Sequence, residues 1–219
     1  MNLCCLFRII MSNRLKRATV RKLDFVRIAV DNSVISWKAW QGLEPDIQND
    51  DEKRRDYEAI ERLFELQKQC RVVLVAVDTV GHEARRTSNE SKRTKQLETL
   101  KLCKEKFNLT RFNKLTPSKG AGTGKSGINL GEGAYWATED NMRRIEEYIA
   151  IGRNSEDQAD LEVLATAAIA GVRHFMTVDY KLLDKSYIGE FVRRKDGICM
   201  YRPSEILMLL DASPGESEE

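Results

Sequence analysis

The sequence predicts an α/β protein built on a central, mostly parallel sheet. Three strand-like runs, FVRIAVD, RVVLVAVD and HFMTVD, are apolar almost throughout and alternate with helix-periodic stretches. Strands covered on both faces read as continuous apolar runs, and strand–helix alternation marks parallel crossover units. Each of the three runs also ends in an aspartate: Asp31, Asp78 and Asp179.

The elements follow in order. Residues 25–31 form the first strand, and SVISWKAW continues as a helix. A second helix covers 50–69: acids open it, where the helix dipole favours them, and Tyr57, Ile60, Leu63, Phe64 and Gln67 fall at helical spacing. The strand 71–78 leads into a helix over TVGHEARR. The basic SKRTKQLETLKLCKEKF comes next, with Leu97, Leu100 and Leu102 as a thin apolar stripe. From Asn108 to Ala137 the periodicity dissolves into a stretch rich in glycine, a loop long enough to be functional or disordered. Helical spacing resumes in TEDNMRRIEEYIAIG and is strongest in DQADLEVLATAAIAG, where Gly171 is a good stop. The third strand, 174–179, a short strand GICMY and a helix opened by Pro203 complete the pattern. The expected organisation is a basic N-terminal tail (1–24), one domain (25–211) with a flexible insertion at about 108–137, and a disordered acidic tail (212–219).

Length and composition narrow the class. A chain of 219 residues buries enough surface to fold without disulfide or zinc staples. Its five cysteines are odd in number and scattered, with no C-x-x-C pair, which argues for a reducing compartment. No apolar run approaches the roughly 20 residues of a membrane span. The opening MNLCCLFRIIM is short and broken by Arg8, unlike a signal peptide, so the expectation is a cytoplasmic protein with no membrane partner. Net charge is only +2, yet it is segregated. Residues 1–27 and 85–125 together hold 19 Lys/Arg against 4 acids, and the rest holds 17 against 30. Such a division suits a polyanion held near an acidic centre, although solvated helix faces give the same pattern.

In open parallel sheets, ligands bind beyond the carboxyl ends of the strands. Asp31, Asp78 and Asp179 all fall there. Each alone could be a helix cap, but three share one edge. Glu83, five residues after Asp78, and Asp160, at the head of DLEVLATAAIAG, sit early in helices, where an acid also answers the helix dipole. Carboxylates suit Mg²⁺ or Mn²⁺, hard ions that take oxygen ligands. Clusters of three or four of them are the usual apparatus for phosphodiester hydrolysis.

These residues resemble the PIN-domain nucleases. RIAVDNSVI matches the family's opening strand, acid and small hydroxyl residue, with Asp31 and Ser33 in those places. VGHEARR offers Glu83 as the second acid. Asp160 heads a helix of the form D-x-x-hydrophobic-hydrophobic-A-x-A, with Asp157 one turn earlier as an accessory. Thr177–Val178–Asp179 supplies the T-x-D step, and CMYRPSEIL the strand-then-Pro-x-E ending. The resemblance covers roughly residues 25–210. It implies a three-layer α/β/α sandwich in which Asp31, Glu83, Asp160 and Asp179 ligate one or two Mg²⁺ or Mn²⁺ ions. It further implies a metal-dependent endoribonuclease acting on single-stranded or structured RNA. Asp78 is an additional acid whose role the pattern does not fix. The stretch 85–137 is longer than in compact toxin–antitoxin members. Arg85, Arg86, Lys92, Arg93, Lys119 and Lys125 are the candidate contacts to the RNA backbone. A homodimer and an inhibitory protein partner stay open.

Other signals carry less. GAGTGKS suggests a phosphate-binding loop, but Lys119 stands where the first glycine is required and no apolar strand precedes it. Trp37 and Trp40 read as packing; Trp136 beside Tyr135 is the better stacking candidate. His82 lies about 100° round the helix from Glu83, and no cysteine has an identifiable His partner. The rival readings are an RNA-binding protein of the same fold without turnover, and a Mg²⁺-dependent phosphatase-like enzyme, for which a D-x-D pair is missing.

Overall fold

In a computed structural model the described chain comprises residues 26–41, 45–110, 134–136 and 138–212, with the backbone alone at 46, 78, 108–110 and 134–136. The first apolar run forms strand β1 (Val26–Val30). It pairs in parallel with β2 (Val72–Val77) on one side and with β5 (His174–Met176) on the other. β2 pairs with β3 (Glu105–Thr110), β5 with β6 (Cys199–Tyr201), and β3 with the short β4 (Ala134–Trp136). The order is β4-β3-β2-β1-β5-β6 and every pairing is parallel, rather than mostly so. Ile28, Ala29, Val30, Leu74, Val75, Phe175 and Met176 are buried at its centre, as continuous apolar strands require.

Ten helices join the strands among the described residues: α1 (Asn32–Ala39), α2 (Pro45–Gln48), α3 (Asp51–Lys68), α4 (Asp78–Arg86), α5 (Glu90–Leu102), α6 (Glu139–Ile149), α7 (Ser155–Ile169), α8 (Tyr180–Leu183), α9 (Ser186–Asp196) and α10 (Pro203–Ala212). Side chains of Asp50, Asn89, Thr138 and Asn154 cap α3, α5, α6 and α7, satisfying N–H groups that have no partner within the helix. Gly171 lies at φ +70° just past α7, the left-handed conformation that ends a helix cheaply only at glycine. α3 packs on β2 and against α1 and α10; α7 packs on β2 and against α4, α6 and α9. These two helix groups are compatible with a three-layer α/β/α fold. No helix among the described residues is long and apolar enough to cross a membrane.

Three features depart from the sequence expectation. The basic helix ends at Leu102, and β3 then runs from Glu105 through Thr110 into the stretch expected to be irregular, with β4 at that stretch's far end. β3 alternates, with exposed Lys106 beside buried Phe107, so it lacks the apolar run that announced β1 and β2. Pairing to β2, with Val75 opposite Glu105, makes it a strand. Helices α2, α8 and α9 are further elements the periodicity did not announce; in α9 the buried face is only Ile188 and Val192. The tails 1–25 and 213–219, and residues 111–133, with Lys119, Lys125 and the GAGTGKS segment, lie outside the described residues.

The topology fixes where ligands meet the sheet. From β1 the chain moves to β2 on one side, while β5 lies on the other, so the strand order reverses between β1 and β5. A crevice at such a reversal opens at the carboxyl ends of the strands. Asp31 follows β1 there, and Thr177 to Asp179 follow β5. At the opposite end Arg27 binds both oxygens of Glu105 and donates to Ala170 O at 2.9 Å, tying β1 to β3 and to the end of α7.

Candidate metal centre at the carboxyl edge of the sheet

Asp31 is the fixed point of the edge. Its Oδ1 accepts the Asn32 N–H at 2.7 Å, and its Oδ2 accepts hydroxyls from Ser33 at 2.5 Å and Thr177 at 2.8 Å. The same two hydroxyls reach onward: Ser33 Oγ accepts from Val178 N–H at 3.2 Å, and Thr177 Oγ1 from Asp179 N–H at 3.0 Å. Ser33 and Thr177 therefore lock the end of β1 to the segment after β5, as their place beside the acids suggested. Asp179 Oδ1 caps the short α8, accepting from Lys181 and Leu182 N–H at 2.9 and 3.2 Å. The capping role weighed for Asp179 is real, and it holds the carboxylate at the switch point. Beneath it, Tyr180, the first residue of α8, donates to the fully buried Asp56 at 2.8 Å; Asp56 also accepts from Ser204 N–H and Oγ.

Glu83 arrives on α4 and Asp160 on α7, helices that pack together. The electrostatics place them in one neighbourhood with Asp31 and Asp179. Burial first, then the charges of Asp31 and Asp160, with Arg86 opposing, push the Glu83 carboxyl up to about 7. Burial, opposed by Lys185 and helped by Asp31 and Asp179, brings Asp160 to about 6. Asp31 is also raised, first by burial, with its hydrogen bonds opposing and Asp179 adding. Burial first, and like charges nearby second, disfavour ionisation in this way.

The donor chemistry fits a hard dication: four carboxylates and the Ser33 and Thr177 hydroxyls, with no thiolate or imidazole. Two buried oxygens at this edge, Asn32 Oδ1 and Thr79 Oγ1, have no hydrogen-bond partner among the described residues, the kind of orphan that a hydrated ion satisfies. Among the described residues, however, no three His, Cys, Asp or Glu side chains close round a single point.

Neither a family model nor a curated protein matches the chain. The site therefore stands on its own geometry.

The remaining sequence candidates divide. Asp157 is engaged by structural partners. It is buried, its Oδ2 accepts from Arg153 N–H and the Tyr187 hydroxyl, and Lys185 stands 2.9 Å from its Oδ1. Those bonds hold its carboxyl well below the usual range. The Asp78 side chain lies outside the described residues, as do those of Tyr135 and Trp136; the Asp78 backbone begins α4. Arg85 and Arg86 line an open cleft of about 990 Å³ that also takes in Glu83 and Glu162. Lys92 and Arg93 do not line it: the Lys92 ammonium sits 3.9 Å from the centre of the Trp40 ring, and Arg93 reaches Thr87 O. His82 is exposed, and burial pushes the Cys103 thiol up to about 12, which leaves it unsuited to nucleophilic work.

Sequence reasoning missed four residues here. Lys101 and Lys106 complete the cationic wall of the cleft; both lie within the basic stretch, and only the fold separates them from its other lysines. Glu162, two residues beyond Asp160, lines the cleft and raises Glu83. Lys185 contacts both Asp157 and Asp160, and no local pattern announced it.

Proposed function

We propose that the chain is a PIN-like, Mg²⁺- or Mn²⁺-dependent endoribonuclease. The observation that carries the reading is the hydrogen-bonded edge where Ser33 and Thr177 tie the Asp31 carboxylate to the segment of Asp179, with Glu83 and Asp160 near enough for Asp31 to raise both. The four acids come from four separate stretches of the chain around the order reversal of a parallel sheet. These four would hold the metal, with Ser33 and Thr177 fixing the Asp31 carboxylate. A dication bound there supplies an activated water and offsets the charge that develops on the phosphate.

The chain's own groups prepare the rest. Arg85, Arg86, Lys101 and Lys106 line the cleft that begins at Glu83, giving a polyanion a cationic path to the acids. Its floor of Ala76, Val77, Leu97 and Leu100 is apolar, which suits an unpaired strand with exposed bases. RNA, single-stranded or locally unpaired, is the proposed substrate, and a cytoplasmic setting suits five scattered cysteines with no C-x-x-C pair.

The test is incubation of the protein with a mixed RNA pool in chelator, Mg²⁺ and Mn²⁺, followed by mapping of new ends. Internal cleavage that requires the ion, and that Asp31→Asn lowers by at least ~100-fold, is the expected result. That no three described acids close round one point favours a second reading, RNA binding by the same fold without turnover. Tight binding with no cleavage in any ion would establish that one and overturn the first.

A further inference from the structure

Asp157 and Asp160 lie three residues apart on one face of α7, and Lys185, the residue that precedes α9, meets both. Its ammonium stands 2.9 Å from Asp157 Oδ1 and 3.3 Å from Asp160 Oδ2. Asp157 is itself immobilised, with its side chain 2% exposed and its other oxygen taken by Arg153 N–H and the Tyr187 hydroxyl. Were Lys185 to swing away, a buried carboxylate would lose its partner, which is strongly unfavourable. The lysine is thus a fixed positive charge on one flank of the acidic cluster.

A dication bound to Asp160 Oδ2 would lie about 2.1 Å from that oxygen, hence no more than roughly 5.4 Å from the ammonium, in a partly buried setting where repulsion is weakly screened. The Asp31–Glu83 side has no such occupant. Arg86 acts on Glu83 from an exposed position on α4, and neither acid has an ion pair among the described residues. We infer that Lys185, pinned by Asp157, stands in place of a second metal: the site takes one divalent cation, on the Asp31–Glu83 side, with the Lys185 flank of Asp160 closed to another. This rests on reading the cluster as a metal site, and it makes Lys185 a positioning residue.

The test uses Mn²⁺ alone as the probe, with the full chain and no RNA. Equilibrium dialysis counts bound ions, and electron paramagnetic resonance reports whether two manganese ions are spin-coupled. The expected result for wild type and for Lys185→Arg is one Mn²⁺ per chain with an uncoupled spectrum. The double variant Lys185→Met/Asp157→Asn removes both charges of the pair and leaves no buried carboxylate stranded. It should take up a second equivalent and show coupling, a change that a purely structural role for Lys185 would not produce. Two equivalents or a coupled spectrum in wild type would overturn the inference while leaving the metal site standing. So would a folded double variant that still binds one ion; where that variant does not fold, the wild-type count decides. Wild type that binds no Mn²⁺ would overturn the metal-site reading, and this inference with it.

Discussion

Glu83 carries the sharpest consequence of its burial beside other acids. Its carboxyl is raised from the ordinary 4.5 to about 7. A raised folded value gives stability that is fully present below the unfolded value and lost as pH rises through the folded one. Metal-free protein should therefore lose stability between pH 4.5 and about 7, with Asp160, raised to about 6, acting in the same direction. Glu83→Gln should flatten that slope and stabilise the metal-free fold at pH 8 by on the order of 1 kcal/mol, allowing for solvent screening. Urea unfolding in chelator at pH 4.5, 6 and 8 measures it. A slope unchanged by the substitution would mean that Glu83 does not share the cluster. Asp157 illustrates the limit of spacing arguments: at one turn from Asp160 it looks like a ligand, yet Tyr187, Lys185 and Arg153 claim it for structure. Those partners come from α9 and its approach, and from the turn before α7, none of which the sequence singled out.

Among the elements, β1 and β2 were legible because burial left them almost no polar residues, and α7 because its apolar residues recur at helical spacing, with Leu161, Val163, Leu164, Ala165 and Ala167 buried. β3 was not, since it sits toward the edge of the sheet and alternates. Nor was α9, whose apolar face is only two buried residues. The site followed the same division. The acids stand just after legible strands or within legible helices, whereas Lys101, Lys106 and Lys185 are ordinary surface lysines in sequence and become special only through packing. Helix α4, which carries Glu83, contains Gly81, where an added Cβ meets no atom within 4 Å. Gly81→Ala should stabilise the fold by about 0.5–1 kcal/mol through helix propensity. Thermal denaturation checks this, and a destabilised variant would show that the helix needs glycine there.

Across the whole molecule, the segregated charge acquires a direction. Arg85, Arg86, Lys101 and Lys106 line the same cleft as Glu83, so under the proposed function a strand held there would be led toward the acids. Lys92, stacked over Trp40, belongs to a different surface. Lys101→Glu with Lys106→Glu should weaken RNA binding across sequences and lower the salt slope by about 0.7 per lost phosphate contact. Lys92→Glu should change the slope far less. Filter binding at several salt concentrations separates the two, and equal effects would remove the cleft's claim to be the path.

The acidic cluster as a metal site is the centre of this account, and thermal melting of wild type and Asp31→Asn, each in chelator and in millimolar Mn²⁺, tests it most directly. An ion that binds only the folded state stabilises it by mass action. Wild type should gain about 5 °C or more in Mn²⁺. Asp31→Asn, similar in shape but without the charge, should melt in chelator at or near the wild-type temperature and lose most of that gain. A wild-type melting temperature indifferent to Mn²⁺ through the millimolar range would contradict the account.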